Sequence, residues 1–191
     1  YWLLKSYLDR RTFRVRYNGA YSEYKIIKAG VPQGSVLGPY LYNIFTYDIP
    51  CPKTSMIGTF ADDTAIASVA KDLQEANGLL QASLDKTYTW TKKWGIGLNN
   101  SKSAHTLFTN KRVGHQPVYL NGDPVPYSES SKYLGMHLDS KLKWGTHIKK
   151  KVKELNIKFK KMYWLLGRSS KLSINNKVLL YKQVLRPGCQ L

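Results

Sequence analysis

Phe60-Ala61-Asp62-Asp63 sets two carboxylates side by side between two short apolar runs, residues 56–60 and 64–70. Runs of that length and composition read as strands, so the four residues form the tip of a hairpin. Adjacent ionised Asp side chains repel each other, a costly arrangement unless a cation lies between them. Oxygen-only ligands suit Mg²⁺, which takes one or two protein carboxylates and lets substrate phosphates complete its shell. The alternative is an Asx-type turn with two solvated side chains.

Upstream of the hairpin lies Ala29-Gly30-Val31-Pro32-Gln33-Gly34-Ser35-Val36-Leu37-Gly38-Pro39. Two glycines and a proline within residues 30–34 exclude regular structure there. Ser35 is a predicted helix N-cap, and the helix behind it should bury Leu37, Leu41, Ile44 and Phe45. Pro39 then falls near the first turn, where a missing N–H is tolerated. Pro50 and Pro52 close that region. At the start of the chain, Leu4 and Leu8 stand at helical spacing, and Asp9-Arg10-Arg11 breaks the pattern. Phe13, Val15 and Tyr17 alternate with Thr12, Arg14 and Arg16, the strand period. Asn18-Gly19 is a turn signal, and residues 24–28 read as the returning strand. Arg14 and Arg16 therefore share one face, next to the Gly-rich segment.

Downstream, Leu73, Ala76, Leu80, Leu84, Thr87, Thr91 and Trp94 form one helical stripe that Gly95 and Gly97 stop. Residues 98–100 and 104–108 are expected as strands around a turn carrying Ser101-Lys102-Ser103. Residues 118–120 and 125–127 flank Asn121-Gly122, a second hairpin signal. Residues 133–139 read as a third small β element. From Trp144 the period lengthens: Trp144, Ile148, Val152, Leu155, Phe159, Met162 and Leu166 step by three or four, an amphipathic helix with lysines outside. Ser173 is expected to cap a last helix carrying Ile174, Val178, Tyr181 and Leu185, with Pro187 ending it. A mixed portion thus covers residues 1–139 and a basic helical portion residues 140–191. No flexible linker separates them, so they are expected to pack together.

The 191 residues carry 30 Lys and Arg against 12 Asp and Glu, a net charge of +18. Residues 140–191 hold 14 of the basic side chains and a single acidic one, Glu154. So uneven a balance points to a polyanion partner, most plausibly nucleic acid. Aromatic residues make up 13% of the chain, against the composition of a disordered basic tail. No apolar run is long enough to cross a membrane, and no signal-peptide pattern is present. Cys51 and Cys189 lack metal-ligand spacing, and a reduced intracellular protein is the simpler reading. The four histidines show no ligand spacing either. The chain opens on Tyr1 and stops at Leu191 inside an apolar pattern, as an internal piece of a longer protein does.

One ordered series of motifs runs along nearly the whole chain. The segment from Gly30 to Pro39 is followed by Phe60-Ala61-Asp62-Asp63, then Trp94, Leu98-Asn99 and Lys102, then Lys132-Tyr133-Leu134-Gly135 and the basic helices. The series resembles the reverse transcriptases of non-LTR retrotransposons of the jockey-like kind. An intron-encoded maturase is the weaker likeness, because the similarity around Tyr133-Leu134-Gly135 and the basic helices favours the first group. The resemblance implies an α+β, right-hand polymerase fold, incomplete at both ends. Residues 1–139 would be a partial palm, an antiparallel sheet with packed helices, and residues 140–191 a partial helical thumb.

The implied activity is RNA-directed DNA polymerisation: Mg²⁺-dependent transfer of a nucleotide from a dNTP to a primer 3′ hydroxyl on an RNA template. Asp62 and Asp63 would be catalytic and metal-binding, with two Mg²⁺ in the complete enzyme. Lys102 would be a general acid near the leaving pyrophosphate, or else a surface lysine in a polar turn. Gly30, Pro32, Gln33 and Gly34, with Arg14 and Arg16, would lie against template and nucleotide. Tyr133, Leu134 and Gly135 would form the primer grip, although packing alone could account for Tyr133. Lys149, Lys150, Lys151 and Lys153 would track the phosphates of an RNA–DNA hybrid. A solvated helix face and a nuclear-import signal are the other readings of that run, and the family places such a protein in the nucleus.

Palms of this type carry a further carboxylate on a strand upstream of the Gly-rich segment. Residues 1–29 hold only Asp9, at a helix end beside two arginines, and Glu23, after a turn. Neither fits the pattern, and the fingers are absent too. Two carboxylates without the third would hold Mg²⁺ loosely, so the chain alone is expected to be inactive. A non-catalytic module that holds RNA or an RNA–DNA hybrid is the competing function.

Overall fold

A computed structural model of the chain describes residues 1–189, and the side chain of Cys189 is outside that description. Cys51 is a free, exposed thiol. The fold is α+β, and it divides into two compact units. The first is Tyr1–Pro50 with Thr59–Thr64; the second is Cys51–Gly58 with the chain from residue 65 onward. The division passes through the Asp hairpin.

In the first unit, helix α1 (Trp2–Leu8) leads into a ribbon of four two-residue strands: β1 (Thr12–Phe13), β2 (Arg16–Tyr17), β3 (Ala20–Tyr21) and β4 (Lys25–Ile26). β2 pairs with β3 and β1 with β4, both antiparallel. Asn18 and Gly19 both take positive φ, as a two-residue hairpin turn requires. The strand expected over residues 12–17 is interrupted because the Ser22 hydroxyl takes the Val15 N–H at 2.9 Å. Helix α2 (Leu37–Phe45) follows. The N-cap position falls on Val36, one residue later than expected, but the Ser35 hydroxyl still accepts the Gly38 N–H of the first turn at 3.0 Å. The buried face expected of α2 is not formed. Among the described residues only Gly38 of this helix is buried, while Leu37, Ile44 and Phe45 remain exposed.

The Asp hairpin is β5 (Ser55–Phe60) and β6 (Asp63–Ser68), joined by Ala61 and Asp62. In the second unit, helix α3 (Leu73–Trp94) holds this hairpin through a chain of serine hydroxyls. Ser83 lies 2.7 Å from Ser55, which lies 2.7 Å from Ser68. Asp72 caps the helix start by accepting the Glu75 N–H, and Gly95, at φ +68°, ends it.

The other side of α3 carries the core. Val118, Leu120 and Val125 are buried against Leu80, Leu84 and Tyr88. They come from the hairpin β7 (Tyr119–Leu120) and β8 (Asp123–Pro124), turned by Asn121-Gly122 as expected. Gln81 extends that hairpin like a further strand. Its amide accepts the Tyr119 N–H at 2.8 Å and donates to the Tyr119 carbonyl at 2.9 Å.

The strands expected over residues 98–100 and 104–108 are absent. Asn99 instead caps a 3₁₀ turn, Asn100–Lys102, by accepting the Lys102 N–H, and His105 makes only an isolated bridge to Tyr127. The third hairpin, β9 (Ser130–Tyr133) and β10 (Met136–Asp139), is present. Helix α4 (Gly145–Lys161) packs on β10 and is followed by α5 (Tyr163–Leu166). Its apolar stripe stays largely exposed, Ile148, Val152 and Phe159 included, and its buried residue is His147. Helix α6 (Ile174–Leu180), capped by Ser173, runs on as a π-helical turn to Leu185, and Pro187 sits inside a final 3₁₀ turn. The antiparallel sheet expected of a palm is thus five separate two-stranded ladders among the described residues. Four of these pairs close through two-residue turns, and none acquires a third strand.

Candidate functional site

A two-residue connection fixes where the carboxylates stand. Ala61 takes φ +50°, a left-handed conformation that usually falls to Gly or Asn. Asp62 completes the turn and Asp63 begins β6. Both are exposed, and neither forms an ion pair with a basic side chain among the described residues. The Asp62 charge is felt by Tyr42 on α2. Burial first, and then the Asp62 carboxylate, hold its phenol above the ordinary tyrosine value.

The Gly-rich loop belongs to the same unit. Gly30 and Gly34 sit at φ +81° and +79°. The Ser35 hydroxyl donates to the Pro32 carbonyl at 2.8 Å while accepting the Gly38 N–H, and residues 32–35 fold into a tight turn. A Cβ at Gly38 would lie 3.1 Å from that carbonyl oxygen, so a side chain there would require the turn to give by a few tenths of an ångström. Arg11, in sequence only part of a helix break, has a structural task. Its guanidinium donates to the carbonyls of Leu8, Ala29 and Gly30, tying the end of α1 to the loop. Gln33 and Gly34 remain exposed on the loop, and Arg14 and Arg16 lie on the adjoining ribbon.

Lys102 lies exposed in the capped 3₁₀ turn of the second unit. Leu134 and Gly135, at φ +47° and +83°, turn the β9–β10 hairpin, and Tyr133 precedes them. The Tyr133 hydroxyl donates to the Gly58 carbonyl at 3.2 Å, joining this hairpin to β5.

The lysine run divides by helical periodicity. Lys149 and Lys153 join Lys160, Val152, Asn156 and Ile157 around a groove of about 380 Å³. Lys150 instead faces β10, its ammonium 3.2 Å from the His137 Nδ1, and Lys151 pairs with Glu154 at 3.8 Å. Lys160, absent from the expected set, follows from the i, i+4, i+7, i+11 spacing.

His147 and Lys150 of α4 both meet His137 of β10. The His147 Nδ1 accepts the backbone N–H of His137 at 3.0 Å. Burial, then Lys150, Lys132 and His147, hold the His137 imidazole below its ordinary value, with Glu154 opposing. A ring kept neutral by folding protonates more readily when unfolded. The packing of α4 on β10 therefore keeps its full strength above about pH 6.5 and weakens as pH falls from there toward the lower folded value. Thermal melts between pH 8 and pH 5 should show the midpoint dropping below pH 6.5, and His137→Asn should flatten that dependence.

Among the described residues, no group of three or more His, Cys, Asp or Glu stands close enough to hold a metal ion. The Asp62–Asp63 pair is oxygen-only and open to solvent, a donor set that fits Mg²⁺ shared with substrate phosphates rather than a closed protein cage. No helix among the described residues is long and apolar enough to cross a membrane.

Residues 1–138 match the family model described as reverse transcriptase (RNA-dependent DNA polymerase). The chain is 42% identical over 198 residues to the probable RNA-directed DNA polymerase from transposon X-element of Drosophila melanogaster, covering 99% of this chain and 22% of that protein. It is 40% identical over 195 residues to the RNA-directed DNA polymerase from mobile element jockey of the same fly, covering 98% and 21%. Identity to the probable RNA-directed DNA polymerase from transposon BS, also of Drosophila melanogaster, is 36% over 197 residues, covering 98% and 22%. The chain spans about a fifth of the length of these relatives. No solved structure gives a significant match.

Proposed function

The chain belongs to the reverse transcriptase (RNA-dependent DNA polymerase) family, and on that premise we propose that it is part of the RNA-directed DNA polymerase of a non-LTR retrotransposon. Residues 1–139 supply part of the palm and residues 140–191 part of the thumb. The observation that carries this reading is the exposed Asp62–Asp63 hairpin tip in one compact unit with the Gly30–Gly34 loop.

Asp62 and Asp63 would hold Mg²⁺. When bound, the metal stabilises the attacking and leaving oxygens of an in-line displacement at phosphorus. The chain's own residues position the reactants. Gly30 and Gly34, without side chains, let the template and the nascent base pair approach the backbone, and Gln33 donates and accepts hydrogen bonds there. Tyr133, Leu134 and Gly135 hold the primer strand. Lys102 holds a proton for the leaving pyrophosphate. The substrates are an RNA template, a DNA primer and dNTPs, and the polymerase works in the nucleus.

Primer extension tests the reading. A chain of the relatives' full length that carries this sequence should add dNTPs to a DNA primer on an RNA template. Binding of RNA or hybrid without incorporation would favour the non-catalytic module. The 191-residue chain, in which neither Asp9 nor Glu23 fits the position of a further carboxylate upstream of the Gly-rich segment, should bind but not extend.

The α4 groove gives a separable expectation. Lys149→Ala, Lys153→Ala and Lys160→Ala together should weaken binding to an RNA–DNA hybrid. They should lower the slope of log affinity against log salt by about 0.9 for each phosphate that is no longer neutralised. Lys150→Ala should leave that slope unchanged and lower the melting temperature, because its ammonium faces β10. Filter binding across a salt series separates the two.

A further inference from the structure

We infer that the face of the β1–β4 ribbon carrying Arg14, Arg16, Tyr21 and Tyr24 binds a nucleic-acid single strand, stacking unpaired bases on its tyrosines and guanidinium planes. The inference deepens the polymerase reading and rests on it in one respect: the strand offered would be template not yet copied.

The strand register brings these residues together. Arg16 stands directly opposite Tyr21, and Arg14, in the break between β1 and β2, reaches the same ring. The Arg14 guanidinium lies 3.9 Å from the Tyr21 ring centroid and 5.1 Å from that of Tyr24, and the Arg16 guanidinium lies 5.5 Å from Tyr21. Neither guanidinium meets a carboxylate within ion-pair distance among the described residues. Stacking on a ring leaves the in-plane N–H donors of Arg free, the geometry that meets phosphate oxygens. The rings are open as well: Tyr21 is 51% and Tyr24 64% exposed.

Charge favours a polyanion. Residues 10–28 carry Arg10, Arg11, Arg14, Arg16, Lys25 and Lys28 against Glu23 alone. The tyrosines decide between single strand and duplex. A duplex keeps its bases stacked inside and has no use for exposed rings, whereas an unpaired base has a free π-face. Arg11 also ties the ribbon's base to Ala29 and Gly30, so a strand on this face would run beside the Gly-rich loop.

The test is fluorescence anisotropy of the 191-residue chain with a labelled 12-nucleotide RNA, the same sequence as DNA, and an RNA–DNA duplex of it. Tyr21→Ala with Tyr24→Ala should weaken single-strand binding by about tenfold or more and leave duplex binding unchanged. Tyr21→Phe with Tyr24→Phe, which keeps both rings, should bind like the parent chain. Arg14→Gln with Arg16→Gln should lower the single-strand salt slope by about 0.7 for each phosphate released. Weaker binding to RNA alone assigns the face to the template, and equal weakening on single-stranded DNA assigns it to any unpaired strand. Unchanged single-strand binding in the alanine pair overturns the inference, as does equal weakening on the duplex. The readout needs no polymerisation, so failure of the ribbon and failure of the polymerase reading remain distinct results.

Discussion

Asp62→Asn, in a polymerase of the relatives' full length that carries this sequence, is expected to lower RNA-templated DNA synthesis by about a thousandfold or more and to leave RNA binding intact. Asparagine keeps the size of the side chain and removes the charge that a hard cation requires. Metal stabilisation of a phosphoryl-type transition state is worth several kcal/mol, and each 1.36 kcal/mol is about tenfold in rate. Folding should not be affected. Asp62 is exposed at a hairpin turn and forms no ion pair with a basic side chain among the described residues. One local change is expected: the Tyr42 phenol, held up by burial and then by the Asp62 charge, should titrate lower in the variant. Asp63→Asn should cost less, on the proposal that Asp63 would tune the local field while Asp62 would hold the metal. Paired measurements of dNTP incorporation and RNA binding check this. Normal synthesis in Asp62→Asn would remove the residue from metal binding, and abolished RNA binding would give it a structural role.

Val118→Asp should cost about 3–5 kcal/mol, the scale of an uncompensated buried charge. Val118 is 1% exposed, packed between α3 and the β7–β8 hairpin, and the core around it is small. Domains hold only about 5–15 kcal/mol in total, so the variant should lose a large share of its stability and melt at a markedly lower temperature. Val118→Ala, which leaves a small cavity, should cost about 1–2 kcal/mol. Both follow from urea or thermal melts. The effect should reach the Asp hairpin, because α3 holds β5 and β6 through Ser83, Ser55 and Ser68. A Val118→Asp chain that melts like the parent would mean that this packing contributes little.

Local turn chemistry is legible in the sequence. Asn18-Gly19 and Asn121-Gly122 turn because both residues of each pair tolerate positive φ. Ser35, Asp72 and Ser173 precede helices and accept their free N–H groups. The Asp hairpin is legible as two short strands flanking a polar tip. Where sequence and structure part, competing side-chain bonds decide. Residues 98–108 have strand-like composition, but the Asn99 side chain satisfies the turn and no partner strand is present among the described residues. The apolar stripe of α4 suggests a buried face. The periodicity is real, yet the residue that docks the helix is His147, which is not part of that stripe. Ser83 escapes notice for a similar reason: a small polar residue off the apolar stripe reads as neutral until its partner hydroxyl is known. Of the site, the carboxylates and the Gly-rich loop can be read directly. Arg11 and Tyr42 cannot, since one acts through backbone carbonyls and the other through burial beside Asp62.

The measurement that tests the metal assignment most directly is Mn²⁺ titration of the ¹⁵N-labelled chain followed by NMR. Paramagnetic broadening reports even weak sites, and Mn²⁺ takes the same oxygen ligands as Mg²⁺. The predicted result is selective loss of the amide signals of residues 60–64, abolished by Asp62→Asn. Broadening that spares this hairpin, or that persists in Asp62→Asn, would contradict the assignment of the catalytic metal to Asp62 and Asp63.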